Sequence, residues 1–216
     1  MIGVTDGTEK NINRWCVYLP GKCNRLAVFD GKRASVDTMA KITPKPTLAI
    51  SSCLLGENVR YDGGNKRNSL IFDRLAEMFD FLPICPEVGI GLGVPRPPIQ
   101  MVVIEHEIHL LGVSDPKLDV TARMLTYARE HISVCVRVCG YILKSNSPSC
   151  GMDDVPVYNP NGVSVHTGPG MYASEILSHC SKLPLIDENL LQDKMLRDEF
   201  IRRVSDRHIE LHKGFL

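Results

Sequence analysis

Nowhere do the 216 residues hold an apolar run near the roughly 18 needed to span a bilayer. Residues 1–10 carry neither the basic head nor the apolar centre of a secretory signal, so a cytoplasmic protein is expected. Net charge is missing too. Lys+Arg and Asp+Glu both number 25, which leaves no overall field to draw the chain to nucleic acid or an anionic membrane. Internal repeats and low-complexity tracts are absent, which excludes solenoids and fibrous classes. Of the seven histidines, the five at 106, 109, 131, 166 and 179 form no H-E-x-x-H or similar ligand spacing, so none of them is assigned to a metal.

Cysteine, by contrast, is plentiful, with eight in the chain. A reducing compartment argues against a disulfide framework, which makes metal binding or catalysis the better reading for thiols on loops. Three of them share one kind of place. Cys53 follows the apolar run 47–51 (Thr-Leu-Ala-Ile-Ser), Cys85 ends the run 81–85, and Cys150 ends the turn Ser145-Asn-Ser-Pro-Ser-Cys150 after the run 140–143. Cys135, Cys139 and Cys180 lie at helix and strand ends and read as buried structural thiols. Cys16 and Cys23 fall in a first segment without sustained periodicity.

Along the chain, apolar runs of strand length alternate with helical periodicity. Ser69 is expected to cap a helix with Leu70, Phe72, Leu75, Ala76, Met78 and Phe79 as its apolar positions. A glycine- and proline-rich loop covers 89–98, and a hairpin is expected over 99–112 around Glu105-His-Glu107. A helix follows from Asp119 to about Val136, with Val120, Met124, Tyr127, Ala128 and Ile132 on one side. Beyond Gly151 a polar loop leads to helices over 171–180 and 190–211. The alternation predicts an α/β fold, a Rossmann-like three-layer sandwich with a mostly parallel sheet, a flexible N-terminal extension and a C-terminal helix. The expected division is 1–45 as a disordered or mis-assigned extension with a native start at Met39, 46–184 as the domain, and 185–216 as a C-terminal helix that begins a truncated second domain.

A parallel sheet gathers the carboxyl ends of its strands along one edge, so Cys53, Cys85 and Cys150 are expected to converge. Three thiolates with no fourth partner suit zinc with water, or a 4Fe-4S cluster with one iron open to substrate. None of the three sits in a C-x2-C pair, and the wide separation fits best a site with an open position. Glu87, two residues after Cys85, is the candidate proton-transfer group. Ser145, Ser147 and Ser149 flank Cys150 as donors to sulfur or substrate, or as turn residues satisfying their own backbone. Lys144 and Arg96 read as anion binders or as solvated charges.

These residues stand in motifs that resemble the family catalogued as domain of unknown function 523, which includes thiouracil desulfidases of the TudS type. The motifs are Ser51-Ser-Cys-Leu-Leu-Gly56, Val59-Arg-Tyr-Asp-Gly-Gly64, Pro83-Ile-Cys-Pro-Glu87, Gly91-Leu-Gly-Val-Pro-Arg-Pro-Pro98, Asp119-Val-Thr121, Ile142-Leu-Lys-Ser-Asn-Ser-Pro-Ser-Cys-Gly151 and Gly168-Pro-Gly-Met-Tyr-Ala173. The resemblance covers about 45–183 in order. It implies that Cys53, Cys85 and Cys150 hold a 4Fe-4S cluster whose fourth iron takes the sulfur of a thiocarbonyl without net redox change. Water then replaces the sulfur, giving a carbonyl and sulfide. Glu87 is implied as proton donor and acceptor, with Ser147 or Ser149 assisting. The segment 183–204 resembles the junction to a helical domain that longer relatives use on thiolated transfer RNA. With the chain stopping at Leu216, a free thiolated pyrimidine or its nucleotide is the expected substrate and transfer RNA the lesser one. The competing readings are a zinc- or cluster-binding accessory module and a truncated form of a transfer-RNA 4-thiouridine desulfidase. The sequence leaves the oligomeric state open.

Overall fold

The computed structural model describes residues 44–213. Expectations for 1–38, including a start at Met39, and for Cys16 and Cys23 lie outside the described residues. The apolar runs form a four-stranded parallel sheet, β1 (Thr47–Ser51), β2 (Asp80–Ile84), β5 (Gly140–Leu143) and β8 (Leu185–Asp187), in the order β2-β1-β5-β8. Both faces of this sheet are covered, as an all-parallel sheet requires. Ala49, Tyr141 and Leu143 turn to one core with Met124, Tyr172 and Ile176, while Leu48, Ile50 and Ile142 turn to another with Ile71, Phe200 and Val204. The α3 (Thr121–Cys135) and α4 (Met171–His179) helices cover the first face; Ile71 and Leu75, from the helical turns just before α1 (Ala76–Met78), and α5 (Lys194–His212) cover the second. The three-layer expectation is met. Each fully buried Leu or Ile contributes about 1.5–3 kcal/mol.

Local signals explain most elements. Thr121 N donates to Asp119 Oδ1 at 2.8 Å to start α3, and Met195 N and Leu196 N donate to the Asp193 carboxylate to start α5. The expected hairpin is β3 (Ile99–Ile104) and β4 (Glu107–Gly112), with Glu105 and His106 both at positive φ in a two-residue turn.

Some expectations change. The helix after Asn68 is capped by the Asn68 side chain, which accepts from Ile71 N at 3.3 Å; Ser69 is already helical. Its chain winds wide over Ile71–Leu75, and it buries Ile71, Leu75 and Phe79 while Met78 stays exposed. Two strands were not anticipated after Gly151, β6 (Val155–Tyr158) and β7 (Ser164–Gly168). They join the hairpin in a second, mixed sheet ordered β4-β3-β6-β7. The region expected to be helical from 185 opens instead with β8, which pairs with β5, and α5 then lays Phe200 and Val204 into the second core. Cys135 and Cys180 are not free thiols: they pair as a disulfide between the ends of α3 and α4. Cys139 is buried and free, its sulfur 3.7 Å from His208 Nδ1. Among the described residues no helix is long and apolar enough to cross a membrane.

Candidate active site

The carboxyl ends of β1, β2 and β5 open on one cleft of about 300 Å³. Cys53, Cys85, Cys150, Glu87 and Ser147 all line it, and Ser149 is buried behind it. Strand geometry produces this convergence. Cys53 lies in the 3-10 turn Ser52–Leu55 directly after β1; Cys85 directly follows β2 and precedes α2 (Pro86–Gly89), whose proline at the first position starts the single turn carrying Glu87. Lys144 N donates to Ser51 Oγ at 3.0 Å, tying the end of β5 to the end of β1 across the point where strand order reverses.

Cys150 is held by a closed turn. Ser147 Oγ accepts from Ser149 N at 3.3 Å and Cys150 N at 3.1 Å, and Ser147 O accepts from Gly151 N at 2.9 Å. The amino end of α4 clamps the turn from outside: Gly170 N donates to Gly151 O, Met171 N to Pro148 O and Ala173 N to Ser149 O, at 2.8 to 3.0 Å. A Cβ on Gly170 would lie 2.7 Å from Ser147 O and Ser149 O, so the late glycine motif is there to permit backbone contact.

The two serines left open by the sequence take different places. The Ser147 oxygen is occupied by the backbone of the Cys150 turn. Ser149, fully buried, donates its hydroxyl to Glu87 Oε1 at 3.0 Å. Glu87 Oε2 accepts from Arg96 Nε at 2.9 Å, so Arg96 is neither solvated nor a free anion binder. Lys144 is engaged as well, with Nζ 2.5 Å from Glu188 Oε1, while Ser145 donates to both Glu188 oxygens at 2.7 and 2.8 Å. Burial alone would raise the Glu188 carboxyl; the Lys144 ammonium and the Ser145 donors outweigh it and hold the carboxyl below its ordinary value. Sequence reasoning missed Glu188, Ser51 and the Glu87–Arg96 pair. The near-invariable need of a buried Lys or Arg for a partner was the one signal available, and it names no partner.

Burial, with Cys85 adding to it, pushes Cys53 up to about 11; burial raises Cys85, and raises Cys150 far more despite a hydrogen bond from Ser51. Thiolate is the metal-ligating form, so a positive group in the cleft is what would deprotonate these sulfurs. Among the described residues no three His, Cys, Asp or Glu side chains converge on a point that would hold a single metal ion. Three thiols at one cleft are a donor set that suits zinc with water or a 4Fe-4S cluster with one open iron. Among the described residues no fourth thiol lines the cleft, so a group held by these three would keep a position open for substrate.

Fold and site together define an α/β protein that gathers three thiols and a carboxylate at the strand ends of its parallel sheet. The chain belongs to the 2-thiouracil desulfurase family, whose model matches residues 48–188. It is therefore a desulfidase-class enzyme. It is similar to the uncharacterized protein YbbK of Bacillus subtilis (strain 168), 29% identical over 157 residues that span 68% of this chain and 98% of that relative. Among solved structures it is similar to the 4Fe-4S-dependent thiouracil desulfidase TudS, at 32% identity and a TM-score of 0.55, over 72% of this chain and 99% of that one.

Proposed function

We propose that the protein removes sulfur from free thiolated uracil compounds, thiouracil or 4-thiouridine nucleotides, replacing C=S by C=O and releasing sulfide. The observation that carries this reading is the convergence of three free thiols and Glu87 on one cleft at the strand ends. A cleft of about 300 Å³ is at the lower end of small-molecule sites.

Cys53, Cys85 and Cys150 would hold a 4Fe-4S cluster, which supplies a Lewis-acidic iron and no net electrons. Glu87 then serves as the proton carrier: Oε1 takes a proton from the attacking water and returns it as sulfur leaves, so C=S plus water becomes C=O plus hydrogen sulfide. Ser149 aims that oxygen, and Ser147 keeps the Cys150 turn closed.

Anaerobically reconstituted protein incubated with 2-thiouracil, 4-thiouridine monophosphate and thiolated transfer RNA tests the proposal through sulfide release. The reading expects sulfide from one or both small compounds, and a rate lower by about 10²- to 10⁴-fold in Glu87→Gln, which keeps its cluster. Full turnover by Glu87→Gln removes the assignment of the proton carrier; absence of sulfide from all three substrates removes the function.

A further inference from the structure

Arg96 is the most buried cation of the cleft, its side chain 3% exposed, and the proton-transfer scheme leaves it without a task. Its surroundings are built to fix one orientation. The loop that carries it begins where Leu92 N donates to the carbonyl of Glu87 itself, at 3.1 Å, and is pinned at its far end where Arg96 N donates to Tyr61 O, at 2.9 Å. The guanidinium is then anchored to its own loop by Nη1 donating to Gly93 O at 2.9 Å, with Gly93 at positive φ to present that carbonyl. Only after these three attachments does Nε reach Glu87 Oε2. Glu87 is thus gripped twice by one loop, through its backbone and through its carboxylate.

We propose that Arg96 is a positioning residue for the reaction, acting through Glu87: it fixes the carboxylate so that Oε1, the oxygen bonded to Ser149, stays aimed at the reacting carbon. This rests on the desulfidase reading given above. A glutamate on a single helical turn at the cleft mouth has rotamers that lead to solvent. The planar fork of an arginine held at both ends removes them, which lysine, a point charge on a flexible stem, does not. The glycine- and proline-rich loop, which sequence reading left without a purpose beyond being irregular, becomes the bracket for that guanidinium.

The test is a double-mutant cycle with Arg96→Gln, Glu87→Gln, the pair together, and Arg96→Lys. Each is reconstituted anaerobically and assayed for iron and sulfide per chain, then for kcat and KM with 2-thiouracil. The expected result is a full cluster in Arg96→Gln, KM within about twofold, and kcat lower by roughly ten- to a hundred-fold, the cost of a misplaced group. The double variant should be no slower than Glu87→Gln alone, since Arg96 acts only through that residue. Arg96→Lys should keep its cluster and recover only part of the lost kcat. In cluster-free protein the urea midpoints should couple, the double variant losing less than the sum of the singles. Wild-type kcat in Arg96→Gln overturns the proposal, as do losses that multiply in the double variant. Should Arg96→Gln fail to fold or to keep its cluster, Arg96→Lys decides, and wild-type kcat there overturns the proposal. Wild-type protein that releases no sulfide instead overturns the desulfidase reading and this role with it, whereas active wild type with indifferent Arg96 variants overturns the positioning role alone.

Discussion

Around Cys150 the backbone has little slack, because Ser147 accepts from Ser149 N, Cys150 N and Gly151 N within the turn while the amino end of α4 donates to Pro148 O, Ser149 O and Gly151 O from outside. Ser147 and Ser149 therefore fail differently when removed. Ser147→Ala frees two backbone N–H groups and should cost about 1 kcal/mol of stability, with weaker retention of iron. Ser149→Ala leaves the turn intact and loosens Glu87, so kcat should fall while iron content holds. Iron per chain and kcat on the two variants check the distinction. Gly170→Ala drives a methyl against Ser147 O and Ser149 O and should cost about 1–3 kcal/mol, read from the urea midpoint.

Among the elements, β5 and β8 end in the network that joins Lys144, Ser145 and Glu188. The folded carboxyl of Glu188 titrates below its ordinary value of 4.5, so its contribution to stability is complete above that pH and is lost as pH falls through the lower, folded value. The unfolding midpoint should drop on acidification below about pH 4.5, and less steeply in Glu188→Gln. The helices α3 and α4 are stapled at their ends by Cys135–Cys180 across 45 residues. Reduction or Cys135→Ser should cost about 4 kcal/mol if loop closure dominates, measured as a shift in urea midpoint with and without dithiothreitol.

At this scale the limits of sequence reading become physical. Cys53, Cys85 and Cys150 were legible because each ends an apolar run beside turn residues, and strand ends of a parallel sheet must meet. The Lys144–Glu188 and Ser51–Lys144 contacts were not, since they join residues 44 and 93 apart and no periodicity encodes such pairs. β6 was hidden by Pro156 and a polar flank, yet Pro156 sits opposite Thr167 in a short antiparallel pair where a missing donor is tolerated. The Cys135–Cys180 disulfide was rejected on an argument about compartment, which carries no information on whether two helix ends adjoin.

Across the described residues, one parallel sheet separates two cores, and the proposed chemistry occupies the cleft at its carboxyl edge. The second sheet and α4 brace the Cys150 side of the cleft, and the loop bearing Arg96 braces the Glu87 side. The central claim is that Cys53, Cys85 and Cys150 together carry a 4Fe-4S cluster. The most direct measurement is iron, acid-labile sulfide and zinc per chain, with the visible spectrum, on protein purified without oxygen. The account predicts a brown protein with about four irons and four sulfides per chain, lost in Cys150→Ala. A colourless protein holding one zinc per chain would contradict it.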